Sequence, residues 1–358
     1  MLAVLGMAIL ALGAGGQEKK ARPFAMGVNP FPYDFTPEAV EATQLWILDN
    51  ADLAVIKLDE GVPWQEALEN KNSYDPNFEG DLDWKGKKPR DKKVFLSMTP
   101  LNKEKTGMAG YRGPQENMAN PEPWNKKDLD DPLVLKSYLN FCREMIRRFR
   151  PDFLAYGIEV NNLAKVPAKW KKFVPFARDA YITLKKENPQ LQLCLTLSTE
   201  TATEAESVGP QKKAITEILP YTDLIAVTAI PYLKEQNPAK IPKNYFAQMA
   251  AFAPQKPFAI AETAFLAEDV NFFGIERVGK PAWQADYLKF CFDEGVKHNA
   301  KFIVWMIPRD LDLLYEKLPP IVREILVPVR DTGLLDGQGN PRKSFETWSQ
   351  WLKYQRVK

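Results

Sequence analysis

Short apolar runs recur along this chain, separated by stretches in which apolar residues fall three or four apart. Eight runs stand out: FAMGVN (24–29), LAVIKL (53–58), KVFLSM (93–98), FLAYGIEV (153–160), LQLCLTLS (191–198), DLIAVTAI (223–230), FAIAET (258–263) and KFIVWMI (301–307). They are apolar almost without interruption, as strands buried on both faces of a parallel sheet are. Between them, Thr36-Pro37-Glu38 sets a capping residue before a proline at the first helical position. Leu139, Cys142, Met145, Ile146 and Phe149 predict a helix over 137–149, and Trp170, Phe173, Ala177, Ala180 and Leu184 predict one over 168–186. Further helices are expected near 210–219, 242–252, 283–297 and 342–354, while the element after the second run has no clear pattern.

Strands alternating with helices give the α/β class, and a count of eight predicts one closed (β/α)8 TIM barrel, a single domain over 21–358. An open doubly wound sheet would need a glycine-rich phosphate loop after an early strand, and no GxGxxG occurs. Two polar stretches interrupt the alternation, 70–92 and 100–128. The second directly follows strand three, so it is expected at the face where barrels bind substrate. The first precedes strand three and is expected on the opposite face.

Composition narrows the function. The 358 residues are 45% hydrophobic and 26% charged with a net charge of +2, ordinary for a globular chain and without a nucleic-acid footprint. Residues 2–14 are apolar, followed by small residues at 13–16 and then QEKK. This stretch is too short to span a bilayer comfortably and reads as a signal peptide over 1–20, with an N-terminal anchor as the alternative. Secretion or a periplasmic location follows from that reading. Cys142, Cys194 and Cys291 lie far apart without a CxxC and read as buried thiols. The single histidine, His298, is expected at a solvent-facing helix end. It rules out histidine-rich metal chemistry and argues against a Ser-His-Asp triad, so acid–base work is expected to fall to carboxylates, tyrosines or lysines.

Two glutamates close apolar strands: Glu159 in AYGIEVNN on strand four, and Glu262 in FAIAETAF on strand seven. A carboxylate at the end of a buried strand is costly to desolvate and needs compensation from hydrogen bonds or function. Strand ends four and seven face each other across a barrel mouth. Two carboxyl groups there can approach to about 5–5.5 Å, the separation of retaining glycoside hydrolysis. A structural hydrogen-bonding role is the alternative for either one alone. Around them, Asn29, Lys57, Asp59, Glu60 and Glu200 lie near other strand ends and are candidates to line the pocket. Trp64, Trp84 and Trp124 fall in predicted loops, where rings stack on sugars or pack the loop itself.

These motifs resemble the clan of (β/α)8 retaining glycoside hydrolases with the acid/base on strand four and the nucleophile on strand seven, including its endo-β-1,4-galactanase-like members. FAIAETAF is similar to the clan's strand-seven pattern, which implies Glu262 as nucleophile; LAYGIEVNN implies Glu159 as acid/base. DLIAVTAIPYL resembles strand six and implies that Tyr232 contacts the nucleophile. FIVWMI places Trp305 where the clan has a sugar-platform tryptophan. GLLDGQGNPRKSFETW (333–348) is similar to the clan's closing loop and helix. The resemblance implies a carbohydrate substrate and neither metal nor organic cofactor. Two positions depart from the pattern: Ile158 stands where the clan has an asparagine before the acid/base, and Lys57 where it has an arginine near the nucleophile. Asn161 or Asn162 are candidates to replace that asparagine. A lysine cannot copy a forked guanidinium. A degenerate, non-catalytic carbohydrate-binding barrel is therefore the second reading. Metal-assisted hydrolysis on Asp59, Glu60, Glu159 and Glu262 is the third.

Overall fold

The apolar runs become parallel strands that pair in chain order. They are β1 (Ala25–Val28), β2 (Leu53–Leu58), β3 (Lys93–Met98), β4 (Phe153–Ala155), β5 in two halves (Gln192–Cys194 and Thr196–Ser198), β6 (Ile225–Ala229), β7 (Phe258–Thr263) and β8 (Phe302–Trp305). The first half of β5 pairs with β4 and the second with β6, while β8 pairs with both β1 and β7. The sheet thus returns to its own fifth strand, and the barrel closes. The computed structural model describes residues 20–71, 73–86, 91–206 and 208–357. All but the last residue of the expected leader over 1–20 lies outside them. Among the described residues no helix is long and apolar enough to cross a membrane.

Helices cover the outside. Thr36 accepts from the Ala39 amide and starts α1 (Pro37–Asn50). After β2 come two short helices, α2 (Trp64–Leu68) and α3 (Pro76–Lys85), where the pattern had been ambiguous. Then follow α4 (Pro132–Phe149), α5 (Pro167–Glu187), α6 (Val208–Ile218), α7 (Pro281–Lys297), α8 (Pro320–Arg330) and the closing α9 (Lys343–Leu352). The helix expected over 242–252 is reduced to one turn, Ala247–Ala250, within a run of turns pinned by buried Tyr245, Phe246 and Met249. His298 does end α7, but its ring packs 5.6 Å from Phe258 and its Nε2 lies 3.2 Å from Glu294, so it is not simply solvent-facing. All three cysteines are buried and free.

Strand residues alternate between the barrel interior and the helices. Ala25, Leu53, Val55, Phe95, Phe153, Cys194, Ala226, Ala259 and Phe302 belong to one buried cluster inside the barrel. Met26, Ile56, Leu96, Leu154, Val227, Ile260 and Ile303, each next to one of these or between two, pack outward in the larger core. The Phe302 ring, 4.6 Å from Phe95 and 4.9 Å from Phe153, plugs the lower interior. Two residues further up the inward rows, the apolar side chains give way to Asn29, Lys57, Ser97, Thr196 and Thr228, which line a recess at the mouth.

The 70–86 segment departs from expectation. It does not lie on the far face. Arg112 of the loop after β3 pairs with Asp81 on α3, and the Lys85 ammonium reaches the Lys57 carbonyl at 3.0 Å. The two polar stretches therefore meet beside the mouth.

Candidate active site

Glu262 enters the site through a break in strand alternation. On β7, Ala259 and Ala261 face inward, so strict alternation would send Glu262 toward the helices. Val227 pairs with Ile260, yet Thr228 pairs with Glu262, leaving Ala261 as an extra residue. Such a bulge re-aims a side chain. It turns Glu262 into the barrel, where Ala261 and Glu262 both line the recess. Thr263 points outward and its hydroxyl donates to the Ala229 carbonyl at 2.7 Å. The Glu262 carboxylate accepts from Lys57 Nζ at 2.7 Å and from Asn29 Nδ2 at 2.8 Å, both on its Oε2. Donors of this kind orient a carboxylate and offset part of its desolvation. Burial pulls the Lys57 ammonium down, but Glu262 and then Asp59 outweigh it and hold the lysine above its ordinary range.

Glu159 arrives differently. β4 ends at Ala155, five residues before the expected strand end at 160. Pairing continues briefly: Tyr156 N–H donates to Cys194 O at 3.0 Å, and Thr196 N–H to Gly157 O at 2.9 Å. The chain then leaves the ladder, and the Thr196 hydroxyl accepts the Glu159 N–H at 2.8 Å. Glu159 adopts φ 50° and ψ 40°, left-handed backbone that a residue with a Cβ enters at a cost of about 1–2 kcal/mol. Strain of this sort gathers at functional sites. Burial raises the Glu159 pKa first, and the charge of Glu262 raises it further. Lys105, Lys57 and the Thr228 hydroxyl oppose them, and the balance leaves it above the ordinary carboxylate range. Glu159 thus feels the charge of Glu262, and the surroundings of the two differ in kind.

Asp59 lies 3.7 Å from the Lys57 ammonium. Glu60 pairs with Lys85. The acids considered for a divalent ion are therefore interleaved with ammonium groups. After β8, Asp310, Asp312 and Asp331 offer carboxylate oxygens within 4.8 Å of one another, but Arg342 pairs with Asp310 and Arg330 with Asp331.

No family model matches the sequence, and no curated protein is similar to it in sequence. Solved structures do resemble it. One is GH5_18 from Streptomyces cattleya in complex with GlcNAc, at 14% identity over 93% of this chain and 80% of that one, with a TM-score of 0.62. An exo-β-1,4-mannosidase from Opitutaceae bacterium strain TAV5 matches at 13% identity over 92% of this chain and 59% of that one, TM-score 0.62. A β-glucuronidase of Bacteroides uniformis matches at 11% identity over 93% of this chain and 35% of that one, TM-score 0.54. The fold is the (β/α)8 barrel of these glycosidases. At this level of identity the likeness concerns the fold alone.

Within this barrel, several expected contacts are placed elsewhere. Trp305 is wholly buried, and its Nε1 donates to the Thr332 carbonyl at 2.8 Å. Alternation explains it: Phe302 and Val304 face inward, so Trp305 faces the helices and presents no ring to a sugar. Tyr232 is also fully buried, and its hydroxyl donates to Pro328 O at 2.6 Å instead of reaching Glu262. Trp64 and Trp124 stack on each other at 5.8 Å beneath the loops, so neither is an exposed platform; Trp84 is half-buried on α3. Glu200 accepts the Ile230 N–H at 2.9 Å and the Tyr245 hydroxyl, anchoring the chain as it leaves β6. Asn162 stays near the site, donating to Glu159 Oε2 at 3.3 Å.

Asn161 is a structural residue. It is 0% exposed, donates to Ser198 O at 3.1 Å and Gln211 Oε1 at 3.0 Å, and accepts from Ser198 N at 2.8 Å. Its side chain ties the segment after β4 to β5 and α6, with nothing left for a sugar hydroxyl. Asn161→Ala is expected to destabilise the protein by about 1–3 kcal/mol by stranding buried backbone groups. A lowered denaturation midpoint with unchanged ligand affinity per folded molecule would show this.

Sequence reasoning missed Ser97, Thr196, Thr228 and Lys105. The first three were legible in principle. Each lies two residues beyond an inward apolar residue on its strand, where polarity marks the top of the barrel. Lys105 carries no such signal, because its loop has no period.

Proposed function

We propose that the protein is a retaining glycosidase acting on β-linked poly- or oligosaccharides. The observation that carries this reading is the pair of unlike carboxyl environments at one mouth. Glu262, gripped by Lys57 and Asn29, is suited to attack the anomeric carbon. Glu159, buried and raised by its surroundings, is suited to hold a proton for the leaving oxygen. In the first step Glu262 bonds to the anomeric carbon as the glycosidic bond breaks, and the Glu159 proton passes to the leaving oxygen. In the second, Glu159 takes a proton from water. The water oxygen bonds to that carbon as the Glu262 ester breaks. The recess between Asn29, Lys57 and Glu262 is too narrow for a pyranose, so the sugar ring would sit above it. The leader-like start of the chain fits action outside the cytoplasm.

The test is a panel of aryl β-glycosides and polysaccharides, with β-1,4-galactan included because of the motif resemblance. Reducing ends and a product first released in the β-configuration are expected; an α-product first would rule out double displacement. Activity should fall as pH rises through the raised Glu159 pKa, because the acid must be protonated to act. In Glu159→Gln that alkaline limb should vanish, and substrates with good leaving groups should suffer least. A limb that persists in the variant would assign it to another group.

Ile158 and Lys57 favour a second reading, a barrel that binds carbohydrate without cleaving it. Calorimetric binding with no reducing ends released from any member of the panel would establish that reading instead.

A further inference from the structure

The loop after β3 spends backbone strain to point one lysine inward. Asn102 N–H donates to Gly107 O at 3.0 Å, and the Asn102 side chain accepts from Thr106 N at 2.8 Å, closing a tight turn. At its apex Lys105 adopts φ 55°. Its neighbours Lys103, Glu104 and Thr106 are exposed, whereas Lys105 is 7% exposed. Its ammonium feels Asp59, Glu159, Lys57 and Glu262, which places it at the mouth of the site.

The other two lysines there are engaged: Lys57 by Glu262 and Asp59, Lys85 by Glu60. Among the described residues, Lys105 alone of the three has neither a hydrogen-bond acceptor nor a carboxylate within ion-pair distance of its ammonium. The Lys105 side chain is buried along its length while its ammonium stays open to solvent, so it is free to meet a ligand, and left-handed backbone has been accepted to put it there. Asp59 is already compensated across 3.7 Å by Lys57.

We propose that Lys105 recognises an anionic substituent on the sugar bound at the mouth, a ring carboxylate or a sulfate ester, so that the substrates are uronides or sulfated glycosides. The inference rests on the glycosidase reading for the mouth being a sugar site. It also couples to the chemistry. Lys105 is a cation that draws the Glu159 pKa down. A substrate anion beside it offsets that pull, so the acid keeps its proton to higher pH when the charged substrate is bound.

Calorimetry on the full protein compares methyl β-D-glucuronide, methyl β-D-glucoside 6-sulfate and methyl β-D-glucoside. At least one charged ligand should bind tenfold or more tightly than the neutral one, and which one does so identifies the substituent. Lys105→Met should erase the preference, and Lys105→Arg should keep part of it. Equal affinity of the unaltered protein for all three overturns the proposal without recourse to a variant, as does a preference that survives in a folded Lys105→Met. Turnover is read separately. A Lys105-dependent preference with no cleavage of any glycoside keeps the anion site and discards the hydrolase. Cleavage of neutral glycosides with no anion preference does the reverse.

Discussion

If the proposed double displacement holds, Glu262→Ala is expected to lower turnover on the order of 10⁴-fold or more, because it removes the group that would form the covalent intermediate. The loss should be chemically reversible. Truncation opens a space beside the Lys57 ammonium, which now lacks its 2.7 Å partner and attracts a small anion. Added azide should enter that space, attack the anomeric carbon directly and restore release of an activated aglycone. The product should be an α-glycosyl azide, since one displacement replaces two. The measurement is aglycone release with and without azide, with the azide adduct identified by NMR. Undiminished turnover in the variant would remove Glu262 from the role, whatever the fold.

Trp305→Ala should produce the largest stability loss among the residues discussed, about 3–5 kcal/mol. The ring is fully buried between the barrel and α7, with Tyr287 at 6.5 Å, and its indole N–H satisfies the Thr332 carbonyl. Removal leaves a cavity and an orphaned carbonyl together. Trp305→Phe fills most of the space and loses only the hydrogen bond, so a smaller loss of about 1–3 kcal/mol is expected. A sugar platform would behave otherwise: KM would rise and the unfolding midpoint would hardly move. Denaturant titration alongside KM separates the two, and an unchanged midpoint in Trp305→Ala would restore the platform role.

The contrast between these residues shows how far the sequence could be read. Both close apolar strands, and both matched the same family pattern. Glu262 reaches the mouth only because Ala261 is an extra residue against β6, and Trp305 misses it because β8 keeps its alternation through Trp305. The strand-six resemblance drew Tyr232 toward the site, and closeness to Glu159 along the chain drew Asn161. Their polar atoms are instead consumed by Pro328, Ser198 and Gln211, partners 37 to 96 residues away. The single turn at Ala247–Ala250, where a longer helix was expected, shows the same limit: buried contacts overrode a local pattern.

From the sequence alone came the barrel, its eight strands, most of its helices and the two glutamates, because hydrophobic period and caps are local properties of the chain. Tertiary structure alone decided that Lys57 and Asn29 hold Glu262, that Glu159 sits in strained backbone beside Thr196, and that Lys105 turns inward. Those outcomes depend on bulges, on strand register and on partners distant in sequence. No window of neighbouring residues contains that information.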